Sequence, residues 1–258
     1  MRQSLFFVLV GIACTLVGVV GCGKQIHIPG DVQVFEHVII AETGSFYEKG
    51  RDGELVPREF QAWPGDHGWR SADWFDVRIE ADRGDVIVLA PSLHKFDLWV
   101  FSPAITITTQ PNAETTAEIW GTVEIDADDV TLDRIAVTGP RKDNSSGHGI
   151  EVNRELISHI TIRNCRSAEN EWTGIHIIGP RGTIDELRVE DCELVHNGMD
   201  GMDAQSVVNL IITGCTITDN GWDFEHGVGV RIGSFVEHVE MHDNRIWGNR
   251  LTDVYQKE

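Results

Sequence analysis

Ile160-Thr161-Ile162-Arg163-Asn164-Cys165-Arg166-Ser167-Ala168-Glu169-Asn170 returns, with other residues in the same places, as Leu187-Arg188-Val189-Glu190-Asp191-Cys192-Glu193-Leu194-Val195-His196-Asn197. It returns again as Leu210-Ile211-Ile212-Thr213-Gly214-Cys215-Thr216-Ile217-Thr218-Asp219-Asn220. The frame is apolar at the first, third and sixth positions, with asparagine five residues after the sixth. Outward from this core, Val130-x-Leu132-x-x-Ile135 shares the first half, and Val239-x-Met241-x-x-Asn244 with Asn249 shares the spacing with asparagine at the sixth position. The five units start 30, 27, 23 and 29 residues apart. Self-similarity at such a period is the mark of stacked repeats.

Alternating apolar residues at the head of each unit predict a short strand followed by a bend. After the asparagine comes a second strand marked by glycine: Gly149-Ile150-Glu151-Val152, Gly174-Ile175-His176-Ile177, Gly201-Met202-Asp203-Ala204 and Gly229-Val230-Arg231-Ile232. Upstream, residues 84–91 and 103–107 extend the strand pattern by two rungs. The heads of the units also fit a leucine-rich repeat. That architecture needs an apolar helical segment in the second half of each unit, where this chain has Gly, Asn, Asp and a period-2 strand.

On these residues the segment 84–258 resembles the right-handed parallel β-helix repeats of the pectin-lyase-like superfamily, and Gly84-Asp85-Val86-Ile87-Val88-Leu89-Ala90-Pro91 is similar to a first coil of that family. The resemblance implies an all-β chain: a single-stranded right-handed parallel β-helix, a solenoid of about six or seven coils with an N-terminal cap region. It implies a fold and not an activity, because the family includes lyases, hydrolases, epimerases, esterases and binders. In such a solenoid Cys165, Cys192, Cys215 and Asn244 stack at one position of successive coils, as core fillers. Asn170, Asn197, Asn220 and Asn249 form a second column, whose amides are expected to bond to one another.

The polygalacturonase-like glycosidases of this fold carry Asn-Thr-Asp-Gly, Asp-Asp, Gly-His-Gly and Arg-Ile-Lys in that order. Here Gly147-His148-Gly149 precedes Gly198-Met199-Asp200-Gly201, and Arg231-Ile232-Gly233 ends in glycine. The Asp-Pro-His motif of alginate epimerases is missing. The related lyases rely on a lysine–arginine pair, and no lysine lies between Lys142 and Lys257. The family's catalytic residues therefore do not transfer as a set.

Candidate chemistry comes instead from the alternation. Residues between the inward apolar ones of the glycine-marked strand point outward, which aligns Glu151, His176, Asp203 and Arg231. His148 and Asp200 lie just before their glycines. Carboxylates and histidines can exchange protons with a glycan, and arginine can meet developing negative charge. These six are the candidate catalytic residues, with Asp200 and Asp203 foremost. A charged outer column is also what any solvated sheet face carries. Trp172 and Trp222, each two residues after a ladder asparagine, are candidate carbohydrate-stacking residues if they face out, and corner fillers if they face in.

The chain opens Met1-Arg2-Gln3-Ser4, then runs almost wholly apolar from Leu5 to Val20, a signal-peptide pattern too short for a comfortable membrane span. Val19-Val20-Gly21-Cys22 resembles a bacterial lipobox, and predicts lipidation at Cys22. An ordinary secretory signal with a chance cysteine is the rival. The domain reading is a signal peptide at 1–21, a linker and cap at 22–83 containing Trp63, Trp69 and Trp74, and the β-helix at 84–258. Gly23-Lys24 after the cysteine, with no aspartate, points to an exported protein lipid-anchored in the envelope, at the outer membrane where the cell has one. The lipid is then the only membrane contact.

With 21 Lys+Arg against 41 Asp+Glu the net charge is −20. That excludes nucleic acid as a partner, and disfavours a polyanionic glycan unless a divalent cation such as Ca2+ bridges the charges. Apart from Cys14 in the leader and the lipidation residue Cys22, the three remaining cysteines, none in Cys-x-x-Cys spacing, define neither a disulfide framework nor a zinc site. The expected function is to bind, and to cleave as a lyase or hydrolase, an extracellular polysaccharide. The alternatives are a non-catalytic structural or interaction solenoid and, last, an accessory protein in metal handling.

Overall fold

A computed structural model describes residues 83–257 except 90, 111–112, 140–146, 154–155 and 180–183; upstream it describes the strands at 26–28, 39–40, 45–49, 55–59 and 75–81. The readings made on residues 1–25, lipidation at Cys22 among them, and on Trp63, Trp69 and Trp74 lie outside the described residues.

The described residues contain no helix. They form three parallel sheets of eight, seven and nine strands, and one antiparallel pair, Ser45–Lys49 with Leu55–Glu59. The chain visits the three sheets in turn. Taking one coil, Ile160–Arg163 lies in sheet 1, Arg166–Ala168 in sheet 2 and Ile175–Ile177 in sheet 3. The next coil repeats this with Ile184–Glu190, Glu193–Val195 and Met202–Ala204, each pairing in parallel with its predecessor. Seven strands in sheet 2 make seven complete coils. The result is a parallel β-helix, wound right-handed as parallel crossovers are.

The turn from sheet 1 to sheet 2 is made by one residue in the left-handed region: Asn164, Asp191, Gly214 and Asp243, with φ between 51° and 67°. The turn out of sheet 2 uses Glu169, His196, Asp219 and Gly248 in the same way, with φ between 56° and 70°. A single left-handed residue redirects the chain without using up length. Gly, Asn and Asp adopt it at least cost, which accounts for much of their frequency in the repeat. Between two such corners the sheet 2 strands are only three residues long, as at 166–168 and 193–195. The sequence showed a bend there and not a strand, because three residues are too few to display a period.

Inward side chains stack in columns. Ile107, Leu132, Ile162, Val189 and Ile212 are in register in sheet 1, and Leu98, Val123, Ile150, Ile175, Met202 and Val230 in sheet 3. All are fully buried, each contributing about 1.5–3 kcal/mol of transfer free energy. The sheets do not begin at 84. Phe75–Ala81 pairs with Phe96–Val100, and Ile26–Ile28 and Ile39–Ile40 add to sheets 3 and 1. Part of the region read as linker and cap thus carries strands of the parallel sheets.

Two polar columns run through this core. Asn170 Nδ2 donates to Asn197 Oδ1 at 2.7 Å, Asn197 Nδ2 to Asn220 Oδ1 at 2.9 Å, and Asn220 Nδ2 to Asn249 Oδ1 at 2.9 Å. Backbone amides of Asn170, Asn197 and Asn220 donate to the same oxygens. Cys165, Cys192 and Cys215 are free, buried thiols, each donating to backbone carbonyls at 3.1–3.5 Å. Asn244 ends that column, accepting from the Cys215 amide at 2.9 Å.

The glycines that mark sheet 3 lie against the asparagine column. A Cβ on Gly174 would stand 2.7 Å from Asn197 Nδ2 and 2.6 Å from the Gly201 carbonyl oxygen, and Gly149, Gly201 and Gly229 are similarly confined. Gly174→Ala is therefore expected to destabilise the protein by about 2 kcal/mol, through overpacking against backbone and a fully bonded amide. A urea midpoint unchanged from that of the native chain would contradict this.

Candidate functional site

The outer face of sheet 3 carries one continuous column. Trp99, Glu124, Glu151, His176, Asp203, Arg231 and Tyr255 are partners in successive strands, one per coil. Period-2 alternation puts them all outside, since their neighbours fill the core. The face is nevertheless sheltered. Glu151 is only 8% exposed, and His176, Asp203 and Arg231 are half-buried.

Two clusters meet in the middle of the column. In the first, the His148 ring stacks on His176 with centroids 3.8 Å apart and planes at 16°, and Trp172 packs edge-on to His148 at 5.1 Å. Glu151 Oε1 lies 3.8 Å from His176 Nδ1. Neither histidine's Nδ1 has a hydrogen-bond partner among the described residues, although both atoms are buried. Burial above all, and then the charge of His176, push His148 down to about 4, while Glu151 opposes the shift.

Near neutral pH His148 is thus a neutral ring. Folding favours that neutral form, so its stabilisation is complete above the unfolded value of 6.5 and is lost as pH falls from there toward 4. Native protein should lose stability over this interval with a slope of up to about 1.4 kcal/mol per pH unit from this group. His148→Gln should flatten the limb, as read from urea midpoints across pH.

The second cluster is built on Asp200, which is fully buried. Arg231 donates to it through Nε at 2.7 Å and Nη2 at 3.0 Å, and the Val228 amide donates at 2.8 Å. Arg231 Nη2 also reaches the His226 carbonyl at 2.9 Å, and its guanidinium lies 5.4 Å from the Tyr255 ring centre. Asp200 is thus the anchor of Arg231, closed off from solvent, rather than a group presented to a ligand. Asp203 is presented. Burial first, and then the Asp200 charge, push its carboxyl above the usual carboxylate range, against the opposing Gln205 hydrogen bond, His176 and Arg231.

The structure therefore gathers Glu151, His176, His148 and Trp172 beside Asp203, Asp200 and Arg231. It sets Trp222 apart. Trp172 and Met199 follow each other in hydrogen-bonded register, but the next place is taken by Gly227, whose Cβ would meet the Met199 carbonyl oxygen and whose own carbonyl accepts from Leu251. Residues 222–226 form an excursion. It puts the Trp222 ring parallel to His196 at 5.9 Å, with Nε1 donating to the His196 carbonyl. Trp222 lines a recess with Asp219 and Arg250 at the asparagine turn. Both tryptophans are partly exposed, at 38% and 37%.

Sequence reading missed Trp99, Glu124, Tyr255 and Gln205. The first two occupy the same alternating position in earlier coils, in Leu98-Trp99-Val100 and Val123-Glu124-Ile125, and were there to be found. Gln205 lies past its strand, where periodicity has no hold. Among the described residues, no three His, Cys, Asp or Glu side chains stand together in a way that could hold a metal.

A family model described as right handed beta helix region matches residues 149–257. Together with the three-sheet topology this makes the fold that of a right-handed parallel β-helix repeat protein. Among solved structures, the chain is similar to the A-module of mannuronan C-5 epimerase AlgE4 from Azotobacter vinelandii, with 13% identity and a TM-score of 0.47 over 70% of this chain and 58% of that one. It thus spans less than two thirds of the module's length. A likeness to ORF18 of Geobacillus virus E2 has 9% identity and a TM-score of 0.28, over 90% and 72% of the two chains. Neither likeness is close enough to argue an activity. No curated protein matches the chain.

Proposed function

We propose that this chain is a cell-envelope lipoprotein whose β-helix binds an extracellular polysaccharide along the outer face of sheet 3 and cleaves it there. The observation that carries the reading is the sheltered, in-register run Glu151–His176–Asp203–Arg231. A column meant only to solvate a sheet has no reason to bury a glutamate, stack two histidines and lift a carboxyl. Perturbed groups gathered in one place are the usual company of acid–base chemistry. In this reading Asp203 holds the proton given to the departing sugar oxygen. Glu151 lies two strand spacings away, about 9–10 Å along the backbone, near the upper end for a carboxylate pair with water between them. Trp172 offers a half-exposed indole beside the histidines for a sugar face. The envelope address rests on the lipobox ending in Cys22.

The test is a panel of neutral and acidic polysaccharides, with and without calcium, comparing the full chain with Asp203→Asn by newly formed chain ends. Product from the native chain, lost in the variant, is expected. A panel giving neither product nor binding would sink the reading. Binding without product would favour the second reading, a non-catalytic envelope solenoid. The bidentate Asp200–Arg231 pair, a cross-link between coils, is the observation in its favour.

A further inference from the structure

The last described coil lacks the floor that every earlier coil has. Its strands, His238–His242, Arg245–Trp247 and Thr252–Gln256, are the end strands of sheets 1, 2 and 3. One coil earlier the inward residues Leu210, Ile212, Ile217 and Val230 are fully buried. Their register partners Val239, Met241 and Ile246 are only half-buried, and Val254 is 42% exposed. Trp247, Leu251 and Tyr255 stand exposed around them. The asparagine column points onward too. The amides of Asn170, Asn197 and Asn220 each donate to the asparagine oxygen of the following coil, and Asn249 is the last of that series. Three strand edges around an apolar floor are a template for further pairing, and an apolar patch rimmed by charge marks an interaction surface.

The rim charges are divided by sheet. Glu237, Glu240 and Asp243 lie in or beside the sheet 1 strand, all exposed. Arg245 opens the sheet 2 strand and Arg250 lies in the turn after it, both exposed. On sheet 3, Asp253 and Lys257 stand two residues to either side of Tyr255. A two-fold axis perpendicular to the solenoid and passing through sheet 3 at Tyr255 matches all three. It sets the sheet 3 strand antiparallel to its copy, with Asp253 opposite Lys257 of the second copy and Val254 opposite Gln256. It also exchanges sheets 1 and 2, which lays the acidic strand over the second copy's arginines. Each edge then meets an antiparallel edge, across which backbone bonds run straight. A contact of this symmetry closes on itself, where head-to-tail stacking would leave an end open.

We infer that a second copy of this chain covers the last described coil, the two solenoids meeting end to end across that axis. The apolar floors of the two copies bury one another, which supplies most of the driving force. The division of acidic and basic residues fixes the rotation at which they meet, as complementary charge does at other interfaces. The sheet 3 strands of the two copies join into one sheet, and their outer columns run together through Tyr255. The inference concerns assembly and stands apart from the polysaccharide reading.

Sedimentation equilibrium of the full chain tests this, with a dimer as the expected species. Val254→Lys should weaken the dimer by about a hundredfold, the scale of losing a central interface contact. Val254 is already partly exposed in the single chain, so an unchanged far-UV spectrum is expected to show the variant folded. Lys257→Glu sets like charges opposite one another twice across the axis and should weaken the dimer by about tenfold, less at high salt. Leu156→Lys, at an exposed position in the middle of the stack, should leave it unchanged. A native chain that stays monomeric overturns the inference. So does a dimer indifferent to Val254→Lys, or a species that keeps growing with concentration, which would mean open stacking in place of a closed pair.

Discussion

Asp203→Asn is expected to lower turnover of the cognate glycan by about 10²–10⁴-fold, the range general acid–base catalysis contributes. The substitution keeps the size of the side chain and an oxygen for Gln205, whose amide donates to Asp203 Oδ1, but removes the transferable proton. Burial and the Asp200 charge hold this carboxyl protonated to higher pH than an ordinary aspartate. Native activity should accordingly decline as pH rises through that elevated value, and the variant's residual activity should lack the limb. Affinity should change little, since the hydrogen-bonding surface survives. Loss of affinity with unchanged kcat would instead make Asp203 a binding residue. Unaltered turnover would remove it from the chemistry altogether.

Asn197→Ala is expected to cost about 3–5 kcal/mol of folding stability. Asn197 is fully buried; its Oδ1 accepts from both the backbone amide and Nδ2 of Asn170, and its Nδ2 donates to Asn220 Oδ1 and the Ser167 carbonyl. Truncation strands groups on both sides, each costing about 1–3 kcal/mol when left dry. Asn249→Ala, in the last coil, loses exposed bonds to Trp247 and Asp253, which water replaces, and part-buried ones from Asn220, and should cost less, about 1–3 kcal/mol. Urea midpoints of the two variants check the contrast. Equal losses would mean that the column does not act as a cooperative chain of amides.

Asn197 and Asp203 are both legible in the amino-acid sequence, each through its position in the repeat. The place of Asn197 in a column follows from counting, since Asn170, Asn197, Asn220 and Asn249 fall at one offset from a repeated frame. The same counting aligns Glu151, His176, Asp203 and Arg231, because strand alternation leaves an outward residue no freedom once its neighbours are inside. Asp200 could not be read. One residue before a glycine, it has the same sequence credentials as His148, yet it is sealed under Arg231 while His148 stacks on His176. Trp222 was misleading for a related reason: its offset from Asn220 matches that of Trp172 from Asn170, but the extra residues of the 222–226 turn carry it to His196.

Repetition alone was enough to establish the solenoid, its order of coils and which side of sheet 3 faces out. In a parallel stack each residue's neighbours are the residues at the same offset one period away, so one-dimensional spacing becomes three-dimensional contact. What lies across the repeat was left to the folded chain. The three-residue strands of sheet 2, the Asp200–Arg231 lock, the stacked histidines and the sheltering of Glu151 depend on side-chain reach and on turns of unequal length. Neither has a period. The lock decides which donors of Arg231 are taken, Nε and Nη2 by Asp200, and which way its guanidinium is held.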